Sequence, residues 1–172
     1  MIYLDENEVT IKASKEAVVG EEYELNGEKY KVVDEKMLRE MVKNEEDVTK
    51  VVTSRITNMA EMSFSESFNQ NISSWDVSEV TDMFRLFLDA KEFNQDISNW
   101  NVSKVENMRG MFADATTFDQ DIGNWDVSKV RNFAGMFTNA KSFNGNVSTW
   151  DLKSATNIGG MFHFAKSFNQ DI

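Results

Sequence analysis

Apolar residues return to the same places every 25 residues over most of this 172-residue chain. The phrase Phe68-Asn-Gln-Asn-Ile-Ser-Ser-Trp75-Asp-Val recurs as Phe93-Asn-Gln-Asp-Ile-Ser-Asn-Trp100-Asn-Val. It recurs again as Phe118-Asp-Gln-Asp-Ile-Gly-Asn-Trp125-Asp-Val and Phe143-Asn-Gly-Asn-Val-Ser-Thr-Trp150-Asp-Leu, and a fifth copy opens at Phe168. A fixed period in this range marks stacked units, each unable to bury its apolar face alone. Within a unit, Phe-Asn-Gln-Asp-Ile-Ser predicts a short strand, Trp-Asp-Val-Ser a turn and Val-Thr-Asn-Met a second short strand. Met108, Met111, Phe112 and Ala115 then fall at helical spacing and predict one or two helical turns. An Ala column at 90, 115, 140 and 165 marks a tight spot that admits only a methyl. The fold class expected is an α/β repeat solenoid of 25-residue coils with short parallel strands and short helices. There is no Pro, which suits coils that need every strand N–H.

The pattern differs before the repeats. Val9 to Ala13 alternates, and Glu22–Leu25 and Lys29–Val33 flank Asn26-Gly27. Asn-Gly between alternating runs predicts a hairpin, because both residues tolerate positive φ. Asp34 is placed to cap a helix whose apolar pairs Met37-Leu38 and Met41-Val42 share one face. Residues 1–47 therefore read as a hairpin-plus-helix cap and 48–172 as the repeat solenoid, with repeats starting near 68, 93, 118, 143 and 168. Residues 48–67 form a degenerate first repeat: Ile56-Thr-Asn-Met59 matches Val80-Thr-Asp-Met83, but Met59 lies nine residues before Phe68 where Met83 lies ten before Phe93. The far end carries no such cap. It is expected to be truncated or covered by a partner, since an open edge invites pairing with another chain.

Composition narrows the function. The 41% hydrophobic content, with thirteen Phe and four Trp, is enough for a core. The formal net charge of −11 disfavours nucleic acid and anionic membrane, both of which need clustered Lys and Arg. No apolar run reaches the ~20 residues of a membrane span, and no signal peptide is visible at the start. The absence of Cys excludes disulfide, zinc-thiolate and thiol chemistry.

Several columns are candidates for chemistry. Trp75, Trp100, Trp125 and Trp150 admit two readings: an aromatic platform for sugars or peptide side chains, or a packed ladder closing the core. An exposed ladder would be a costly apolar patch, which favours the packed reading. The column nevertheless stands among the candidate binding residues. Slots that vary between copies are free of the stacking constraint and expected to face solvent. Among them Asn99, Asn124, Lys104 and Lys129 complete the candidate binding set. Asp96 and Asp121 belong to a column of stacked acids and amides and are weak metal candidates, because a cation would relieve their repulsion. The nonapeptide of calcium-binding β-rolls is absent, so no metal and no cofactor is expected. His163 is the only histidine and cannot build a usual zinc site. No phosphate loop, dinucleotide fingerprint or nucleophile elbow is present, and the chain is expected not to be an enzyme.

The segments Trp125-Asp-Val-Ser-Lys-Val130, Asn107-Met-Arg-Gly-Met-Phe112 and Phe93-Asn-Gln-Asp-Ile97 resemble the repeat of the BspA-like leucine-rich-repeat surface proteins, also found in mycoplasma repeat lipoproteins. The resemblance covers about 48–172. It implies a right-handed leucine-rich-repeat-like coil stack, a bacterial cell-surface or secreted location, and adhesion to host or microbial proteins. The expected function is thus a non-enzymatic recognition module binding a protein or glycan through a rigid repeat face. The alternative is a structural or assembly protein, a phage or filament component, that self-associates through the open C-terminal edge.

Overall fold

The structure, a computed structural model, describes residues 1–172. Two small sheets and one helix occupy the N-terminal third. Strand β1 (Ile2–Leu4) pairs antiparallel with β2 (Ile11–Ala13), Ile2 opposite Ala13. Strands β3 (Glu22–Leu25) and β4 (Glu28–Val32) pair antiparallel about Asn26-Gly27. Both turn residues have positive φ, 52° and 82°, which matches the twist of the flanking strands. Strand β5 (Val51–Val52) adds parallel to β4, so this sheet crosses the expected boundary at 47 and welds the N-terminal unit to the repeats. The helix α1 spans Glu35–Lys43, and the Asp34 carboxylate accepts from the Met37 N–H at 2.9 Å. Leu38 and Val42 turn its apolar face into the main core.

The repeats stack on this base, and their apolar columns form one continuous interior. Phe64, Phe87, Phe112, Phe137 and Phe162 make one ladder with ring centroids 5.3–5.6 Å apart. Phe68, Phe93, Phe118, Phe143 and Phe168 make a second at 5.9–6.0 Å. Within each repeat the two rings lie 3.8–4.0 Å apart. Buried aromatic pairs at these separations add to the stabilisation from area alone.

The expected α/β repeat solenoid of right-handed leucine-rich-repeat type does not form. The only helix is α1, the only sheets are the two N-terminal ones, and no strand ladder closes the repeats into coils. Of the two strands expected in each repeat, the first, as at Phe93–Ser98, does not form, and the second is reduced to isolated parallel bridges, one residue per repeat, along Asn58, Asp82, Asn107, Asn132 and Asn157. Where helical turns were expected, residues 108–115 make successive four-residue turns: Met111 N–H to the Met108 carbonyl, Ala113 to Gly110 and Ala115 to Phe112, each at 3.1 Å.

The reason lies in how the backbone is shared. Alternate N–H groups point along the stack instead of back along the chain. Met83, Arg85, Phe87 and Asp89 donate to the carbonyls of Asn107, Arg109, Met111 and Ala113 at 2.8–3.0 Å. A helix would consume these same groups internally. The alternation requires left-handed residues at two places per repeat: Gly110, Gly135 and Gly160 at the first, and Asp89, Asp114 and Asn139 at the second, all with φ near 60°. Gly, Asp and Asn are the residues that accept this region most readily. Met108, Met111, Phe112 and Ala115 are still all buried, so the inward face is that of a helix while the backbone is not.

The two ends of the stack differ. At the first repeat, the carbonyl of Ala60 takes the place held one repeat later by that of Phe84, which accepts from Glu61 N–H. The Arg39 guanidinium, oriented by Glu35 at 3.0 Å, donates to the carbonyls of Ala60 (2.8 Å) and Glu61 (3.2 Å). A helix side chain thereby supplies what a preceding repeat would have supplied. In the last repeat, Ile158, Gly160, Phe162 and Phe164 hold the donor positions, and their N–H groups have no acceptor within the chain.

Candidate binding surface

The Trp column faces inward. All four indoles are buried, from 0% exposed at Trp75 to 8% at Trp150. Each indole Nε1–H donates to a carbonyl about one repeat back: Val48 (3.0 Å), Ile72 (3.3 Å), Ile97 (3.1 Å) and Ile122 (3.1 Å). The carbonyls of Ile72, Ile97 and Ile122 also accept the backbone N–H of Trp75, Trp100 and Trp125, so both lone pairs are used. This arrangement turns the Trp at each corner into a tie between repeats. It leaves no aromatic platform for a ligand, and the packed reading describes the structure.

Two of the candidate amides also serve the stack. Asn99 donates through Nδ2 to the Ser73 carbonyl (2.8 Å) and to Thr10 Oγ1 (3.3 Å), and is partly buried under the N-terminal segment. Asn124 donates to the Ser98 carbonyl (2.9 Å) and remains exposed. Lys104 is paired with Glu79 at 2.7 Å. Lys129 has no ion-pair partner; it lines a polar hollow of about 320 Å³ with Arg131, Glu106, Ser154 and Thr156.

Asp96 and Asp121 share a second polar hollow of about 390 Å³ with Ser98, Gln120 and Asn124. Each carboxylate is already used: Asp96 Oδ1 accepts the Ser98 N–H (2.9 Å) and Asp121 Oδ1 accepts the Gly123 N–H (3.0 Å). The Ser98 hydroxyl and then the Ser98 N–H hold the Asp96 carboxyl below its ordinary value. Asn71 and Asn146 make the same contact to Ser73 and Ser148 in their own repeats. The column is thus a set of turn caps that Asp and Asn fill alike, and no group of three or more acids and histidines is gathered to hold a metal.

A further ladder runs beside it. The N–H groups of Asn94, Asp119, Asn144 and Asn169 each donate to the side-chain oxygen of the residue 25 positions earlier, at 2.7–3.0 Å. Gln95, Gln120 and Gln170 add their Nε2 groups to the same oxygens. These side chains are held in fixed places while still facing solvent. His163 lies exposed against Phe164, with ring centroids 3.9 Å apart, and no nucleophile or acid converges on it.

One concave site escaped the column-by-column reading. A cleft of about 310 Å³ opens between the end of α1 and the first repeat, lined by Val42, Glu45, Glu46, Val48, Phe64 and Phe68 among others. Its signal in the sequence was the missing residue between Met59 and Phe68. No helix of the chain is long and apolar enough to cross a membrane.

No curated protein and no solved structure matches this chain. Residues 34–141 and 115–172, which together take in the helix and every repeat, match the family described as Mycoplasma protein of unknown function, DUF285, and the chain belongs to that family.

Proposed function

We propose that this chain is a non-enzymatic recognition module of a bacterial surface or secreted protein, binding a protein or glycan through the polar side of its repeat stack. The observation that supports this reading is the division of labour between columns. Every large aromatic of the middle repeats except the half-buried Phe84 is buried, and much of the outward surface is made of amides, hydroxyls and acids repeating every 25 residues and fixed by hydrogen bonds along the stack. Fixed polar groups lose little freedom on binding, and repetition adds avidity when the ligand also repeats. The likeness of the repeat to BspA-like leucine-rich-repeat surface proteins points the same way, toward adhesion.

The hollows beside Lys129 and Asp96 are the places on this surface where a ligand's polar groups fit. The test is to display the chain at high density on beads and screen glycans and matrix proteins. Hits should be lost in Lys129→Glu/Arg131→Glu or Asp121→Ala/Asn124→Ala proteins that keep the parent melting behaviour. A chain that binds nothing on such arrays, and whose tagged copy resists protease shaving of intact producing cells, would overturn the proposal.

A further inference from the structure

The first repeat is built differently from those that follow, and a cleft results. The left-handed residues after Met83 are Arg85 and Asp89, but after Met59 they are Glu61 and Ser63. Phe64 follows Met59 by five residues where Phe87 follows Met83 by four, and Phe68 follows Phe64 by four where Phe93 follows Phe87 by six; the ring pair, 4.0 Å apart, faces the end of α1 where other repeats face a neighbouring repeat. The segment after α1 covers the pair only in part. Gln70 pins that segment by donating to the Glu46 carbonyl (3.0 Å) and accepting from the Val48 N–H (2.8 Å).

The remaining space has two kinds of lining. Val42, Val48, Phe64 and Phe68 are buried and form its floor; Glu45 and Glu46 are exposed and stand at its rim. The other lining groups are hydroxyls and amides, and none is basic. Neither Glu45 nor Glu46 has an ion-pair partner, whereas Glu61, Glu66 and Glu79 of the first repeats pair with Arg85, Lys91 and Lys104. The C-terminal end of α1 lies at the same rim and adds partial negative charge.

We propose that this cleft receives a lysine side chain of a partner protein, with its methylene stem on the Phe64–Phe68 pair and its ammonium between Glu45, Glu46 and the end of α1. The volume, at the low end for ligand sites, suits one long side chain and not a larger ligand. An apolar floor under an uncompensated acidic rim selects a long aliphatic cation: a neutral chain forfeits the rim and a carboxylate is repelled. The net charge of −11 draws basic partners toward the chain. The site is separate from the polar repeat surface, so its failure leaves the recognition proposal standing.

The experiment is an amide ¹H–¹⁵N titration with three blocked tripeptides, glycine–X–glycine, in which X is lysine, norleucine or glutamate. The lysine peptide should shift the resonances of residues 45–48 and 64–70 with a Kd on the order of millimolar. The norleucine peptide should bind about tenfold more weakly, which corresponds to about 1.4 kcal/mol, and the glutamate peptide should not bind. In a Glu45→Gln/Glu46→Gln protein the preference for lysine over norleucine should vanish with the melting curve unchanged. Equal binding of lysine and norleucine, shifts confined to other residues, no shifts, or a preference that survives in the double variant would each overturn the proposal.

Discussion

Replacing Trp100 by Ala is the most direct test of how the repeats hold together. The indole is 3% exposed, lies parallel to that of Trp75 at 6.4 Å and against Phe87 at 6.1 Å, and donates to the Ile72 carbonyl. Burying an aromatic of this size removes ~150–250 Å² from water. At ~25 cal/mol per Å² that contributes about 4–6 kcal/mol, of which the alanine methyl retains a small part. Truncation of a buried Trp to Ala costs about 3–5 kcal/mol in other cores. The lost donor also withdraws one of the two bonds to the Ile72 carbonyl, for about 1 kcal/mol. A loss of about 4 kcal/mol or more is therefore expected, set against a total stability of ~5–15 kcal/mol for a domain. The assay is urea unfolding followed by circular dichroism, with the midpoint shifted and the slope unchanged. Trp100→Phe separates the two contributions, because it keeps a ring and removes only the indole donor and part of the volume; it should lose about 1–3 kcal/mol. A Trp100→Ala loss below about 1 kcal/mol, accompanied by strong iodide quenching of the remaining Trp fluorescence, would refute a buried, tied column.

Arg39→Met keeps the aliphatic stem but leaves the Ala60 and Glu61 carbonyls without their guanidinium donor; a loss of about 1–3 kcal/mol is expected by urea unfolding, with hydrogen exchange fastest around 58–64. Gly145→Ala would place a Cβ 2.7 Å from the Gln120 carbonyl and 2.9 Å from the Phe143 ring, for a loss of about 1–3 kcal/mol. Gly159→Ala meets only Asn157 Oδ1 at 3.3 Å in a column where Phe84, Arg109 and Ala134 already stand, so its melting temperature should hardly move. The Asp96 carboxyl is held low by Ser98, so its contribution is present above the unfolded-state value of ~3.9 and lost as pH falls through the lower folded-state value. Asp96→Asn should therefore leave the melt at pH 7 nearly unchanged and flatten its decline below about pH 4, as scanning calorimetry across pH would show.

The helix Glu35–Lys43 and the turn at Asn26-Gly27 were legible in the sequence because their causes are local: a capping carboxylate, a repeated apolar pair, two residues that tolerate positive φ. The repeat period and the identity of the buried columns were legible too, since stacking places equal residues over one another and only apolar columns can be interior. The conformation of each repeat was not. The spacing of Met108, Met111, Phe112 and Ala115 fits a helix, but the bonds that decide the backbone run to carbonyls 24 residues further along the chain, and no local pattern contains them. The glycines at 110, 135 and 160 and the acids and amides at 89, 114 and 139 were the visible trace of that choice, each at a left-handed place.

The candidate site divides along the same line. That Lys104 and Lys129 face solvent follows from their variation between copies, which frees them from the stack. Whether the Trp column looks in or out was undecidable from strand parity, because the chain bends before it. It was decided by the carbonyls of Val48, Ile72, Ile97 and Ile122, which sit where an inward indole can reach them. Asn99 is partly covered because the segment at Thr10, 89 residues earlier, folds over it. The sequence by itself determined the period, the inward columns and the acidic, polar exterior, since these depend on residue type and spacing alone. The tertiary structure decided the turn-built backbone, the side the Trp column faces and the cleft at Phe64 and Phe68, because each of these rests on hydrogen bonds or packing between residues far apart in the chain.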